Sequence, residues 1–163
     1  MDKLAFQSKF GAVFEHSAWV ADAVFEMGID ALFTDTEALI HRFETAFLES
    51  DLELQLGTLR AHPQLACALA DPEELTSDSA TEQAGAGLDQ CSLAEMEEFR
   101  RLNTAYREKF NFPFIIAVRG RDRWQILDHF RRRLENDVPG EFQTALKQVC
   151  QIARFRIGDI LDV

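Results

Sequence analysis

Cysteine, proline and long apolar runs are all scarce in this sequence, and each scarcity removes a class of protein. Three cysteines occur in 163 residues, Cys67, Cys91 and Cys150, far apart and without a CxxC pair. That pattern predicts a reduced compartment and neither a disulfide framework nor a zinc cluster. The apolar run Pro113–Val118 is six residues long, against the roughly 20 that a membrane-spanning helix needs. Met1-Asp2-Lys3-Leu4 has no basic stretch leading into an apolar one, so no signal peptide is expected. The ending Ile160-Leu161-Asp162-Val163 is not a peroxisomal address. A cytoplasmic location is the expectation. HExxH, a P-loop, the Rossmann glycine fingerprint and a nucleophile elbow are missing too.

Basic charge is the minority. The 17 Lys and Arg face 28 Asp and Glu, a formal net charge of −11. Nucleic acid and anionic membranes repel such a chain, so neither is an expected partner. An anionic small molecule remains possible if the pocket is locally positive. The arginines fall late: Arg119, Arg121 and Arg123, then Arg131, Arg132 and Arg133, then Arg154 and Arg156. Most of these are expected on solvated helix faces.

What is present is helical periodicity. Leu39, Phe43, Ala46 and Ser50 share a stripe behind a possible capping box at Thr34 and Glu37. Met96, Phe99, Asn103, Tyr106 and Phe110 form another, opened by Ser92 with Glu95 three residues on. Leu146, Val149, Ala153, Ile157 and Ile160 form a last one. Further helices are expected near 17–28, 52–60 and 122–137. Sustained period-2 alternation is missing, so the fold class is all-α, a single compact multi-helix bundle over residues 1–163.

Two stretches break the pattern. One is 61–91, with His62-Pro63, Asp71-Pro72, a Ser/Thr-rich turn and Gly85-Ala86-Gly87. The other is Asn111 to Gly120, where Pro113 biases Phe112 away from helix and Gly120 can turn the chain. Irregular segments on a rigid scaffold are common homes for chemistry. An apolar one is unusual, because its buried amides need partners, and a ligand could be one.

The chemistry-bearing candidates lie in or near these stretches. His41 and His129 read as surface or flank residues, and His16 as a local partner of Ser17, a plausible N-cap. His62 precedes a proline, which restricts its backbone and suggests a helix start; it suits either a plain turn or proton transfer near neutral pH. Ser79-Ala80-Thr81-Glu82 fits the S-x-x-E capping box. Glu82 therefore caps a helix, or accepts ligand N–H bonds beside Gln83, or does both. Arg156 lies seven residues beyond Val149, nearly the same face at about 3.6 residues per turn. It interrupts the inward stripe, and an internal ion pair or a bound anion would explain it.

Six blocks in order resemble the OHCU decarboxylase family. They are Phe14-Glu15-His16-Ser17-Ala18-Trp19-Val20-Ala21, His62-Pro63-Gln64-Leu65-Ala66, Ser79-Ala80-Thr81-Glu82-Gln83 and Ala86-Gly87-Leu88-Asp89. The block of Leu102-Asn103, Tyr106, Lys109-Phe110 and Phe112-Pro113-Phe114-Ile115-Ile116 follows, then Ile152-Ala153-Arg154-Phe155-Arg156-Ile157. The resemblance implies an all-α fold, usually a homodimer, with no metal or organic cofactor. It implies decarboxylation of 2-oxo-4-hydroxy-4-carboxy-5-ureidoimidazoline (OHCU) to (S)-allantoin in urate breakdown. It implies that His62 is the catalytic imidazole and that Glu82 assists it. It further implies that Pro63, the residues Ser79, Ala80, Thr81, Glu82 and Gln83, and the residues Phe114, Ile115, Ile116, Ala117 and Val118 line the substrate pocket. Arg156 matches an arginine of the family's closing helix. Ala18, Cys67, Ala68 and Asn111 depart from the pattern, Asn111 standing where a glycine is common. A non-catalytic helical ligand-binding module, or a ureide hydrolase using the same His–Glu pair, are the alternatives.

Overall fold

The helical stripes read from the sequence are realised in a computed structural model that describes residues 1–29, 35–65 and 76–162. Thr34, Ala66, Cys67, Ala68 and Asp71-Pro72, which entered the sequence reading, lie outside the described residues. Those residues form eight α-helices and one short 3₁₀ turn, and no strand occurs among them. No described helix is long and apolar enough to cross a membrane. The chain divides into two compact units, Met1–Ala61 with Leu146–Val163, and His62–Ala145.

The first unit contains α1 (Lys3–Phe10), α2 (Trp19–Glu26), α3 (Thr36–Leu48) and α4 (Leu52–Ala61). It also takes the larger part of α8 (Val138–Leu161), which runs through the boundary. Its core is aromatic. Phe43 of α3 meets Phe6, Phe10 and Phe14 at ring-centroid distances of 6.1, 5.9 and 6.2 Å. The helix α3 starts one residue later than a Thr34 cap requires: Asp35 is the N-cap, its carboxylate accepting from the Ala38 amide at 3.2 Å. Ser17 does not cap α2, whose N-cap position is Ala18 and carries no side-chain bond.

The second unit contains α5 (Ser77–Gly85), a 3₁₀ turn at Leu88–Gln90, α6 (Leu93–Phe110), α7 (Arg123–Arg133) and the first two turns of α8. The Ser92–Glu95 capping box that opens α6 is fully formed. Helix α6 stops at Asn111, which adopts the left-handed conformation with φ 62°. Asparagine tolerates that region almost as glycine does, so the departure at Asn111 keeps the turn. Pro113 then prevents helix from resuming. Gly120, with φ 79°, turns the chain from Val118 to Arg121, whose amide donates to the Val118 carbonyl at 3.0 Å. A residue with positive φ at that turn position is best supplied by glycine.

A further sequence expectation fails here. Cys91 is disulfide-bonded, so the expectation of no disulfide is corrected; sequence spacing excludes a CxxC site but says nothing about which distant segments meet. Cys150 is a free, buried thiol, its pKa pushed up to about 12 by burial and then by Glu44. Of the late arginines, Arg133 and Arg156 are buried and the others are exposed or half-exposed.

Arg133 forms the polar heart of the second unit. Its Nε donates to Glu141 Oε1 at 2.8 Å and its Nη1 donates to the Ile115 carbonyl at 2.7 Å. Tyr106 donates its hydroxyl to the same Glu141 oxygen at 2.6 Å, and Asn136 Nδ2 reaches Oε2 at 2.9 Å. Glu141 is 0% exposed. Glu141 and burial push the Tyr106 hydroxyl well above the usual tyrosine range, burial contributing most. The guanidinium also lies 4.4 Å over the Phe114 ring, which stacks on Phe130 at 3.9 Å.

Such a pair is costly to break from one side, because the remaining charge stays buried. Glu141→Leu is therefore expected to lose about 3–5 kcal/mol, and Tyr106→Phe about 2 kcal/mol through one charge-assisted bond. Urea unfolding followed by circular dichroism reads both as falls in midpoint, with the Glu141 variant the lower.

Candidate active site

The second unit holds every sequence-predicted site residue except Arg156. His62 follows the last residue of α4, Ala61. The expected helix start is thus a helix end, as steric conflict with the following proline ring dictates. Its ring is half-buried, with Nδ1 3.2 Å from the Pro63 carbonyl. A carbonyl can only accept, so a hydrogen bond here makes Nδ1 the donor.

Two side chains grip the backbone just beyond His62. Gln83 Nε2 donates to the Gln64 carbonyl at 3.5 Å, and Asn103 Nδ2 donates to the Leu65 carbonyl at 2.9 Å. Gln83 sits on α5 and is 7% exposed. Asn103 sits on the buried stripe of α6, and Tyr106, three residues on, packs its ring 5.4 Å from Phe114. Residues three apart on a helix are surface neighbours. The turn after His62 and the start of the Phe114–Val118 segment therefore dock on adjacent positions of α6. Asn103 was visible in the sequence only as part of a stripe; a polar residue inside an otherwise apolar stripe is the signal that marks it.

Helix α5 begins earlier than the S-x-x-E reading requires. Thr76 is the N-cap, its hydroxyl accepting from the Ser79 amide at 3.3 Å. Ser79 is thus buried in the first turn, and Glu82 is a half-buried interior residue of the helix. The capping role of Glu82 is corrected, because Thr76 and not Ser79 is the N-cap. Ala80 and Thr81 lie on the exposed face of α5.

Phe114, Ile115, Ile116, Ala117 and Val118 are all buried although none is in a helix or strand. Two arginines hold their carbonyls: Arg133 donates to Ile115, and Arg121 Nη1 donates to Ala117. Among the described residues, no hydrogen bond leaves the backbone N–H of Ile116 or Val118. An unpaired buried amide is costly, so this pair is suited to an oxygen acceptor.

Arg156 belongs to the first unit. Its Nη2 lies 3.6 Å from Glu15 Oε2 and its Nη1 donates to the Val13 carbonyl at 3.4 Å, with both side chains buried. The internal ion pair weighed from the sequence is present. Arg154 points elsewhere, to Glu37 and Glu44, as the stripe required.

The sequence profile described as OHCU decarboxylase matches residues 1–158. The chain belongs to the OHCU decarboxylase family. A 2-oxo-4-hydroxy-4-carboxy-5-ureidoimidazoline decarboxylase of Haloferax volcanii is 36% identical over 159 residues, covering 98% of this chain and 90% of that protein. The uric acid degradation bifunctional protein PucL of Bacillus subtilis is 36% identical over 162 residues, 99% of this chain but 31% of its own length. A crystal structure of (S)-allantoin synthase superimposes with a TM-score of 0.78 at 29% identity, covering 98% of this chain and 51% of that one. The chain thus spans about a third of the bifunctional relative and half of that solved structure.

For a member of the OHCU decarboxylase family, the other histidines offer little to the site. His41 is exposed, and His16 holds a left-handed backbone at φ 54°. No group of three or more His, Cys, Asp or Glu side chains could hold a metal among the described residues.

His129, on α7, titrates below the usual histidine range, first through burial and then through Arg121, Arg132 and Arg133. The unfolded chain therefore binds this proton more readily than the native one. Stability should fall as pH drops from about 6.5 through the lowered native value. His129→Gln is expected to flatten that part of the stability–pH curve and leave it unchanged above pH 7, as measured by urea unfolding at several pH values.

Proposed function

We infer that this chain is a decarboxylase, a lyase that converts OHCU to (S)-allantoin. Membership of the OHCU decarboxylase family across residues 1–158 carries the reading. The site residues are those the sequence singled out, taken with the contacts described above.

The chemistry asks little of a protein beyond geometry. When the bond from the ring carbon to the carboxylate breaks, its electron pair enters the adjacent C=N of the imidazoline. The ring nitrogen that takes up the charge is protonated, and the hydroxyl on the same carbon gives up its proton in exchange and becomes a carbonyl. A proton then adds to the ureido-bearing carbon, and its face sets the S configuration. The substrate is its own electron sink. The protein must bind the carboxylate out of the ring plane, stabilise charge on the forming carbonyl, and deliver one proton.

His62 is the proton carrier. Its half-buried place at the end of α4, with Nδ1 against the Pro63 carbonyl, supports this. Glu82 orients the imidazole or binds the ureido N–H groups, and its position inside α5 removes the competing cap role. Gln83 serves the turn beyond His62 and the substrate's polar edge. Pro63, Ser79, Ala80 and Thr81 complete the wall on that side. The amides of Ile116 and Val118 serve the developing oxygen charge, with Phe114, Ile115 and Ala117 as their apolar frame. Arg156, held by Glu15, is assigned to a substrate oxygen by the family resemblance. The chain acts as one domain in the cytoplasm, as a homodimer, without metal or organic cofactor.

The test generates OHCU enzymatically and follows allantoin by circular dichroism, because spontaneous decay gives a racemate. The wild type is expected to accelerate the signal of the S form. His62→Ala is expected to lose at least about a hundredfold in rate, the scale of one general acid–base group; wild-type rate and enantioselectivity in that variant would remove His62 from the mechanism. Glu82→Gln is expected to slow the reaction while leaving the thermal midpoint within a degree or two. Release of CO2 with each turnover separates decarboxylation from hydrolysis of a related ureide.

A further inference from the structure

Two backbone carbonyls of the segment Phe114–Val118 are held by arginines. Arg133 donates to the carbonyl of Ile115, and Arg121 donates to the carbonyl of Ala117. No peptide bond in the described chain is cis. In a trans peptide unit the C=O and the N–H of the next residue point in opposite directions. The carbonyl of Ile115 shares its plane with the amide of Ile116, and the carbonyl of Ala117 shares its plane with the amide of Val118. Each arginine therefore turns one of those two N–H groups to the opposite side of the chain. The two amides lie two residues apart on the same buried irregular segment.

Charge adds to this orientation. A guanidinium on a carbonyl draws electron density from that peptide unit and makes its N–H a stronger donor, an effect that grows where water is excluded. Carbonyls fixed by flexible or neutral partners would not polarise the amides so well. The two arginines are held differently. Arg133 is locked by Glu141 and by the Phe114 ring. Arg121 is only part-buried and reaches back four residues across the Gly120 turn.

We propose that Arg121 and Arg133 are positioning residues of the decarboxylation: each orients and polarises one amide of an oxyanion-binding pair, Arg133 acting on Ile116 and Arg121 on Val118. This rests on the reading that the Phe114–Val118 segment binds substrate. Neither arginine touches the reacting atoms. They set the donor strength that the developing oxygen charge meets, so they act on kcat more than on KM.

The test pairs amide NMR with kinetics. In 15N-labelled wild-type protein, (S)-allantoin is expected to move the Ile116 and Val118 amide protons downfield more than their neighbours. Arg121→Met is expected to abolish most of the Val118 response and leave that of Ile116. Its kcat should fall about tenfold, below the hundredfold or more that follows outright removal of an oxyanion donor. KM should change less than twofold and the thermal midpoint little, and Arg121→Lys should restore part of kcat. Arg133→Lys, which keeps a cation beside Glu141, is expected to weaken the Ile116 response instead; should it not fold, Arg121 alone decides.

An Arg121→Met enzyme with wild-type kcat and an intact Val118 shift overturns the proposal while His62→Ala still fails to turn over. A loss confined to the thermal midpoint does the same, because it marks a merely structural arginine. If allantoin moves neither amide in the wild type, the segment does not bind the ring and the proposal falls with that reading. If His62→Ala is also fully active, it is the functional reading itself that has failed.

Discussion

One buried ion pair organises the second unit. Arg133 and Glu141 are both withdrawn from water, and each would be costly there alone. Together they offset one another's charge, while Glu141 also accepts from Tyr106 and Asn136 and Arg133 also donates to the Ile115 carbonyl. This ties α6, α7 and the start of α8 to an apolar segment with no secondary structure of its own. Replacing such a pair with hydrophobic residues often costs little stability. What the pair supplies is therefore best read as geometry: it fixes which way a loop's carbonyls, and hence its amides, point.

That fixed loop sits on the same helix as the turn carrying the candidate catalytic histidine. Helix α6 offers Asn103 to the Leu65 carbonyl and Tyr106 to the Phe114 ring, one turn apart. A proton carrier and a pair of hydrogen-bond donors are useful only if their spacing is held, since small misplacements weaken both. The rigid element between them is an 18-residue helix with a complete capping box and an aromatic stripe. Reaction chemistry that needs no external electron sink leaves such holding as the protein's main task.

Much of this was legible from residue spacing, and the failures have physical causes. The stripes of α3, α6 and α8, the Ser92–Glu95 cap and the Gly120 turn depend on local rules and are present, whereas the caps read at Ser17 and Ser79 fall instead at Ala18 and Thr76. Arg133 was hidden inside the triplet Arg131-Arg132-Arg133, yet Ile126, Phe130 and Arg133 follow the same i, i+4, i+7 spacing that singled out Arg156. Periodicity applied to every arginine would have found it. Glu141 had no such mark, because its role depends on a partner eight residues away across a helix boundary. Thr76 and Ser79 are both plausible caps, and choosing between them needs the backbone. His62 was assigned to a helix start although the proline rule favours an end equally well. The convergence of Gln83 and Asn103 on carbonyls beyond His62 is tertiary, and no spacing encodes it.

The account stands on a substrate that lies between the His62 turn and the amides of Ile116 and Val118. A crystal structure of this chain with (S)-allantoin bound tests that most directly. The predicted result puts a ring oxygen about 3 Å from both amide nitrogens, with the His62 ring within hydrogen-bond reach of the product. Allantoin bound elsewhere, touching neither the two amides nor His62, would contradict it.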